Sequence, residues 1–214
     1  MIMGTGWKDW SRSDIIYGII APLAVVLAIA GISVAYSFLF GSGGMSGSTG
    51  ILIGIINEIE ELVITVTVPL LLGLVWNRWA GGASGFLMGS IWSMWYAIKF
   101  SLYSGTFRGG NSINLGPTLL GWVLSAMLIG YMAGALNKRS ENFRRMIIAA
   151  VVSTTVGGVF LLGMFQLSPS NVVAFDLQGF AINVLTRIVA GVIVVIIAKV
   201  FMLYGIAFHM PMAS

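Results

Sequence analysis

Six long apolar stretches constrain this chain more than any other feature: Ile15–Phe40, Ile51–Trp76, Gly81–Tyr103, Leu115–Leu136, Met146–Leu167 and Gly179–Gly205. Each reaches or exceeds the roughly 20 helical residues that cross a hydrocarbon core of about 30 Å. The runs are continuous, without polar–apolar alternation, which points to helices and away from a β-barrel. Only 8% of residues are charged and mean hydropathy is +0.98, where a soluble domain carries about 25% charged residues. The expectation is an all-α polytopic integral membrane protein: one domain, residues 1–214, forming a bundle of six transmembrane helices in a cell membrane. The first apolar run spans 26 residues, against the 7–15 or so of a secretory h-region, so it reads as a span and not as a cleavable signal.

The basic residues orient the bundle. Lys8 and Arg12 precede the first span, Arg78 lies between the second and third, and Lys138, Arg139, Arg144 and Arg145 fill the fourth–fifth connection. All seven fall on one side when the spans are threaded in order, while Arg108 alone falls in a loop on the other. The positive-inside rule then predicts an N-in, C-in topology and explains the pI of about 9.6 without nucleic acid as a partner. The outer connections Gly41–Gly50, Ser104–Asn114 and Ser168–Gln178 are polar loops that read as connectors or as covers for an outer site.

Against this apolar background stand charges inside spans. Glu58, Glu60 and Glu61 lie in the second, Lys99 in the third and Arg187 in the sixth. A charge at mid-membrane costs roughly 2.5–3.5 kcal/mol on insertion scales, so such residues face a protein interior. At about 1.5 Å per residue, Glu58 and Glu61 fall about 10 and 15 Å below the outer end of their span, Lys99 about 6 Å and Arg187 about 12 Å. Glu58, Glu61 and Thr65 form one helical stripe joined by Asn57, and Asn183 shares a face with Arg187. Glu60 points elsewhere. Trp92, Trp95, Tyr96, Lys99 and Tyr103 make a stripe on the third span. Tyr103, Trp76 and Trp79 suit the interface belt that such rings occupy, whereas Trp92 lies too deep for it.

Two readings follow. One is an internal salt-bridge network fixing helix packing. The other is a small-molecule pocket open to the outer side, formed by Asn57, Glu58, Glu61, Lys99, Asn183 and Arg187 with walls of Trp92, Trp95 and Tyr96. Three acids against two bases leave the sign of a ligand open.

Other chemistry is poorly served. Gly82-Ala83-Ser84-Gly85 matches the serine element of rhomboid proteases, but the one histidine, His209, lies beyond the last span, so no base is at hand. With no cysteine and a single histidine, haem, copper and thiolate metal sites lack ligands. No enzyme activity, cofactor or metal is expected. Gly81, Gly85 and Gly89, with Gly130 and Gly134 on the fourth span, are spaced for close helix approach.

Ala24-x-x-x-Ala28 and Gly31-x-x-x-Ala35 on the first span, the Gly-punctuated stretch Leu70–Trp92, six spans with both ends inside and an outer polar cluster together resemble the substrate-binding S components of energy-coupling factor transporters. The resemblance implies a membrane-embedded subunit that binds a small, vitamin-like solute and docks through Ala24, Ala28, Gly31 and Ala35 onto a coupling subunit driven by ATPases. No GxxxxGK[ST] sequence occurs in the chain, so ATP would be hydrolysed by a partner. Two alternatives remain: an accessory subunit of a larger membrane complex, and a proton or cation pathway along Asn57, Glu58, Glu61 and Thr65.

Overall fold

In the computed structural model the residues described are 48–103, 116–167 and 177–203, together with Ile20, Leu23, Ala24, Leu27 and Gly31. Every element among them is helical: α1 (Ser48–Leu62), a π-turn (Val63–Thr67), α2 (Val68–Val75), α3 (Arg78–Tyr103), α4 (Gly116–Asn137), α5 (Phe143–Gln166) and α6 (Leu177–Leu203). Three stretches, Pro117–Asn137, Phe143–Gln166 and Leu177–Leu203, are both long and apolar enough to cross a membrane. The described residues are therefore all-helical, with the character of a membrane protein.

The apolar run from Ile51 to Trp76, expected as one continuous helix, is broken in the middle. Pro69 has no N–H for the carbonyl of Thr65 and its ring crowds that carbonyl. The chain widens by one residue ahead of it, so that the amide of Val68 bonds to the carbonyl of Val63. Six consecutive β-branched residues, Val63 to Val68, lower the cost of leaving regular α-geometry. The Thr65 hydroxyl donates to the Glu61 carbonyl at 2.9 Å. This π-turn begins at Val63, two residues after Glu61, and such turns are frequent at functional sites.

The closest seam lies between α3 and α4. A Cβ added at Gly85 would come within 2.7 Å of the Met127 Cα and closer still to the Ala126 carbonyl; one at Gly89 would lie 2.6 Å from the Val123 Cα. Gly81 and Gly130 face each other so tightly that each would drive a Cβ into the other's carbonyl. These helices meet backbone to backbone, as small-residue faces allow when lipid offers no hydrophobic incentive to associate. Side-chain hydrogen bonds tie the seams: Ser93 Oγ to the Leu119 carbonyl (2.9 Å), Ser125 Oγ to that of Gly157 (2.8 Å) and Asn137 Nδ2 to that of Leu74 (2.9 Å).

Helix α4 is central, touching α2, α3 and α5, and α6 closes the bundle against α5 and α2. One apolar core joins Leu70 and Leu74 of α2 to Ile129, Met146, Val194 and Val195. A second gathers Ile64, Met88, Trp92, Trp122 and Leu161, with Trp95, Tyr96 and Phe165 against them.

Among the described residues, Arg78, Lys138, Arg139, Arg144, Arg145 and Lys199 share one end, while Lys8, Arg12 and Arg108 lie outside those residues. Between α4 and α5 the chain turns through Lys138 and Arg139, whose φ angles of 50° and 57° lie in the left-handed region, and Asn142 caps α5 by accepting from the Arg144 amide at 3.1 Å. Arg139 Nε donates to the Trp76 carbonyl (3.1 Å) and Lys199 Nζ to that of Glu141 (3.0 Å), bringing the ends of α2 and α6 to the same turn. Arg78 stacks over Trp79, 5.6 Å from its ring centre, and Trp79 is exposed as an interface residue would be. Trp76, expected in the same belt, is instead buried.

Candidate functional site

A positive charge in an apolar interior needs a partner, and Arg187 shows how this bundle supplies one. The residue is 1% exposed and its aliphatic stem lies on α5, where a Cβ at Gly158 would sit 3.2 Å from its Cδ. Gly158 thus acts as a shelf for the arginine. The guanidinium then reaches the end of α1, where Nη2 forms an ion pair with Glu61 Oε1. Its Nε donates to Asn183 Oδ1, one turn earlier on α6, at 3.0 Å. An arginine can only donate, so Asn183 must present its oxygen here and turn its amino group away. Nη1 is buried and has no hydrogen-bond partner among the described residues.

Glu61 and Arg187 lie 126 positions apart. Their meeting depends on two local features. The α-helical register ends at Leu62, one residue past Glu61, and the Gly158 shelf lets α6 bring the arginine close. Glu61 retains some exposure, 17% of its side chain, and so marks where the buried pair meets the surface.

There a cleft of about 350 Å³ opens, lined by Glu58, Leu62, Gly179, Ile182, Asn183, Thr186 and Arg187. It lies between the end of α1 and the first three turns of α6, within the 300–1,000 Å³ or so typical of small-molecule sites. Glu58 is exposed on its rim, one turn before Glu61, and feels the charges of both Glu61 and Arg187. Neither an ion pair nor a hydrogen bond engages it among the described residues. Thr186 spends its proton on the Ile182 carbonyl at 2.8 Å, leaving its oxygen as an acceptor.

Of the residues singled out in the sequence, the structure brings together Glu58, Glu61, Asn183 and Arg187. Asn57 is half-buried on α1, engaged in contacts of its own and not part of the cleft wall. Glu60, on another face, is buried. The aromatic wall expected from Trp92, Trp95 and Tyr96 lines a different space. Trp92 is buried with Trp122 in the second core, and Trp95 and Tyr96 pack against it. Tyr96 lies 4.4 Å, ring centre to ring centre, from Trp122, which meets Phe165 edge-on at 5.2 Å. The reason is a competition for partners. Rings on α3 find other rings on α4 and α5, whereas α6, which carries the arginine, presents no aromatic side chain to the cleft. The side chain of Lys99 lies outside the described residues, as do Ala28 and Ala35 of the first span. Ala24 and Gly31 are exposed, and a Cβ at Gly31 would meet nothing within 4 Å.

Four wall residues were not singled out from sequence: Leu62, Gly179, Ile182 and Thr186. Gly179, Ile182, Asn183 and Thr186 follow the i, i+3, i+4, i+7 spacing of one helical face, so extending the Asn183–Arg187 face by a turn would have found them. Gly158 carried no signal, because its role exists only once α5 and α6 are packed.

No protein-family model matches the sequence, and no curated protein or solved structure is detectably similar to it.

Proposed function

We propose that this chain is a six-span, N-in/C-in protein of the cell membrane that binds a small solute between α1 and α6, as the substrate-binding subunit of an uptake transporter energised by partner ATPases. One observation carries the reading: a buried arginine, paired across the bundle with Glu61, opens onto a cleft whose rim holds the Glu58 carboxylate, unpaired among the described residues. A purely structural ion pair needs neither the cleft nor a second acid beside it. The topology is supported by the gathering of Arg78, Lys138, Arg139, Arg144, Arg145 and Lys199 at one end, with Arg187 about 18 Å along α6 from Lys199. The cleft then opens in the half of the bundle away from the cytoplasm, where an importer would receive its solute. The first span, with Ala24, Ala28, Gly31 and Ala35, is the surface offered to a coupling subunit.

Affinity purification of the tagged chain from native membranes in mild detergent tests the assignment. The expected result is co-purification of a membrane coupling subunit and of ATPases carrying phosphate-binding loops, weakened by Ala28→Leu. Fixed partners with no nucleotide-binding sequence would overturn it in favour of an accessory subunit. Labelling of cysteines introduced at Ser46 and Ser140 should reach the first from outside and the second only from inside.

A further inference from the structure

The charge arrangement in the cleft narrows the ligand further. Glu61 and Arg187 neutralise each other as a pair. Among the described residues that leaves Glu58 as the unbalanced charge on the rim, so these three groups, when ionised, carry a formal charge of −1. An intramembrane carboxylate without a counter-charge is costly, and a ligand of opposite sign supplies one. A zwitterion or an anion would leave the group at −1 or worse. Arg187 Nη1 adds a second demand, since a buried donor without an acceptor costs about 1–3 kcal/mol. Apolar contact comes from Leu62 and Ile182.

We infer that the cleft takes a monovalent organic cation bearing a neutral hydrogen-bond acceptor: its ammonium group meets Glu58, its carbonyl or hydroxyl oxygen meets Arg187 Nη1, and its carbon skeleton lies on Leu62 and Ile182. The cation neutralises the cleft, and the acceptor completes the arginine's hydrogen bonds without adding charge. Thr186, as an acceptor, provides a further partner for the ammonium group. This inference rests on the solute-binding reading above. The two fail separately: ATPases can co-purify with a subunit whose ligand is an anion, and an organic cation can bind a subunit that has no ATPase.

Saturation-transfer NMR on the full chain in lipid nanodiscs tests it with ω-amino amides of one to five methylenes, alongside alkylamines, ω-amino acids and alkyl carboxylates of matched length. At least one amino amide should bind about tenfold more tightly than its alkylamine and its amino acid, the gain of one hydrogen bond to a charged donor. Glu58→Gln, a rim substitution that leaves the Glu61–Arg187 pair intact, should remove that binding by a similar factor while circular dichroism stays unchanged. The inference is overturned if carboxylates or amino acids bind best, if the alkylamine equals the amide, if Glu58→Gln has no effect, or if no probe binds.

Discussion

Two of the seams in this bundle are built on opposite principles. Between α3 and α4 the contact is glycine against backbone, with no charge and no space: Gly81, Gly85 and Gly89 leave nothing between the helices but main chain. Between α1 and α6 the contact is made by long polar side chains, and it leaves a cleft and, among the described residues, an unpaired carboxylate and a guanidinium nitrogen without a partner. The first seam tolerates no added atom. The second carries the polar groups that a ligand could use. A membrane bundle gains no hydrophobic drive between its helices, so it holds together through the first kind of contact and can place chemistry in the second.

The contrast breaks most sharply at Arg187. Arg187→Ala should cost roughly 3–5 kcal/mol, because Glu61 is left without its counter-charge. Unfolding in mixed detergent–SDS micelles measures the loss. A double substitution, Glu61→Gln with Arg187→Gln, should recover much of it by removing both charges. If the single and double variants are equally unstable, the arginine matters for its packing on Gly158 and not for its charge.

The α3–α4 seam should respond next. Gly85→Ala adds one methyl group where the Met127 Cα would lie 2.7 Å away, and backbone cannot give as a side chain can. Overpacking of this sort costs about 1–3 kcal/mol. The same unfolding assay reads it, and an unperturbed Gly85→Ala would show that the helices are less intimate than described.

Asn137→Ala should cost less, about 1 kcal/mol, by removing the hydrogen bond from its Nδ2 to the Leu74 carbonyl. The effect should appear first as faster amide exchange where α2 ends, since this bond ties α2 to α4. Smallest of all is Gly163→Ala, at an exposed position of α5. Nothing lies within 4 Å of the added methyl, and the variant should gain about 0.5–1 kcal/mol from reduced chain entropy. Gly85 and Gly163 are the same residue type in the same kind of helix, so the opposite signs test packing alone.

Much of this was legible along the chain. Continuous apolar runs require helices in any setting where backbone groups must be satisfied internally, and glycines four apart mark a face of close approach. Intramembrane charge announced that Glu61 and Arg187 needed partners, and helical phase placed Asn183 beside the arginine. Sequence could not say that Pro69 would open a π-turn at Val63, two residues after Glu61. Its missing amide accounts for a disturbance one turn earlier, but whether the helix kinks or widens depends on the neighbours.

What only the tertiary structure decided is the pairing. Three acids and two bases admit several networks, and composition has no term for distance. The bundle selected Glu61 for Arg187 because Gly158 lets α6 lie low on α5, and it left Glu58 facing a cleft. It also sent Trp92, Trp95 and Tyr96 to Trp122 and Phe165, because rings pack best on other rings and the fold placed those on α4 and α5. Periodicity assigns a residue to a face of its own helix. Which helix that face meets is set by packing across the whole bundle.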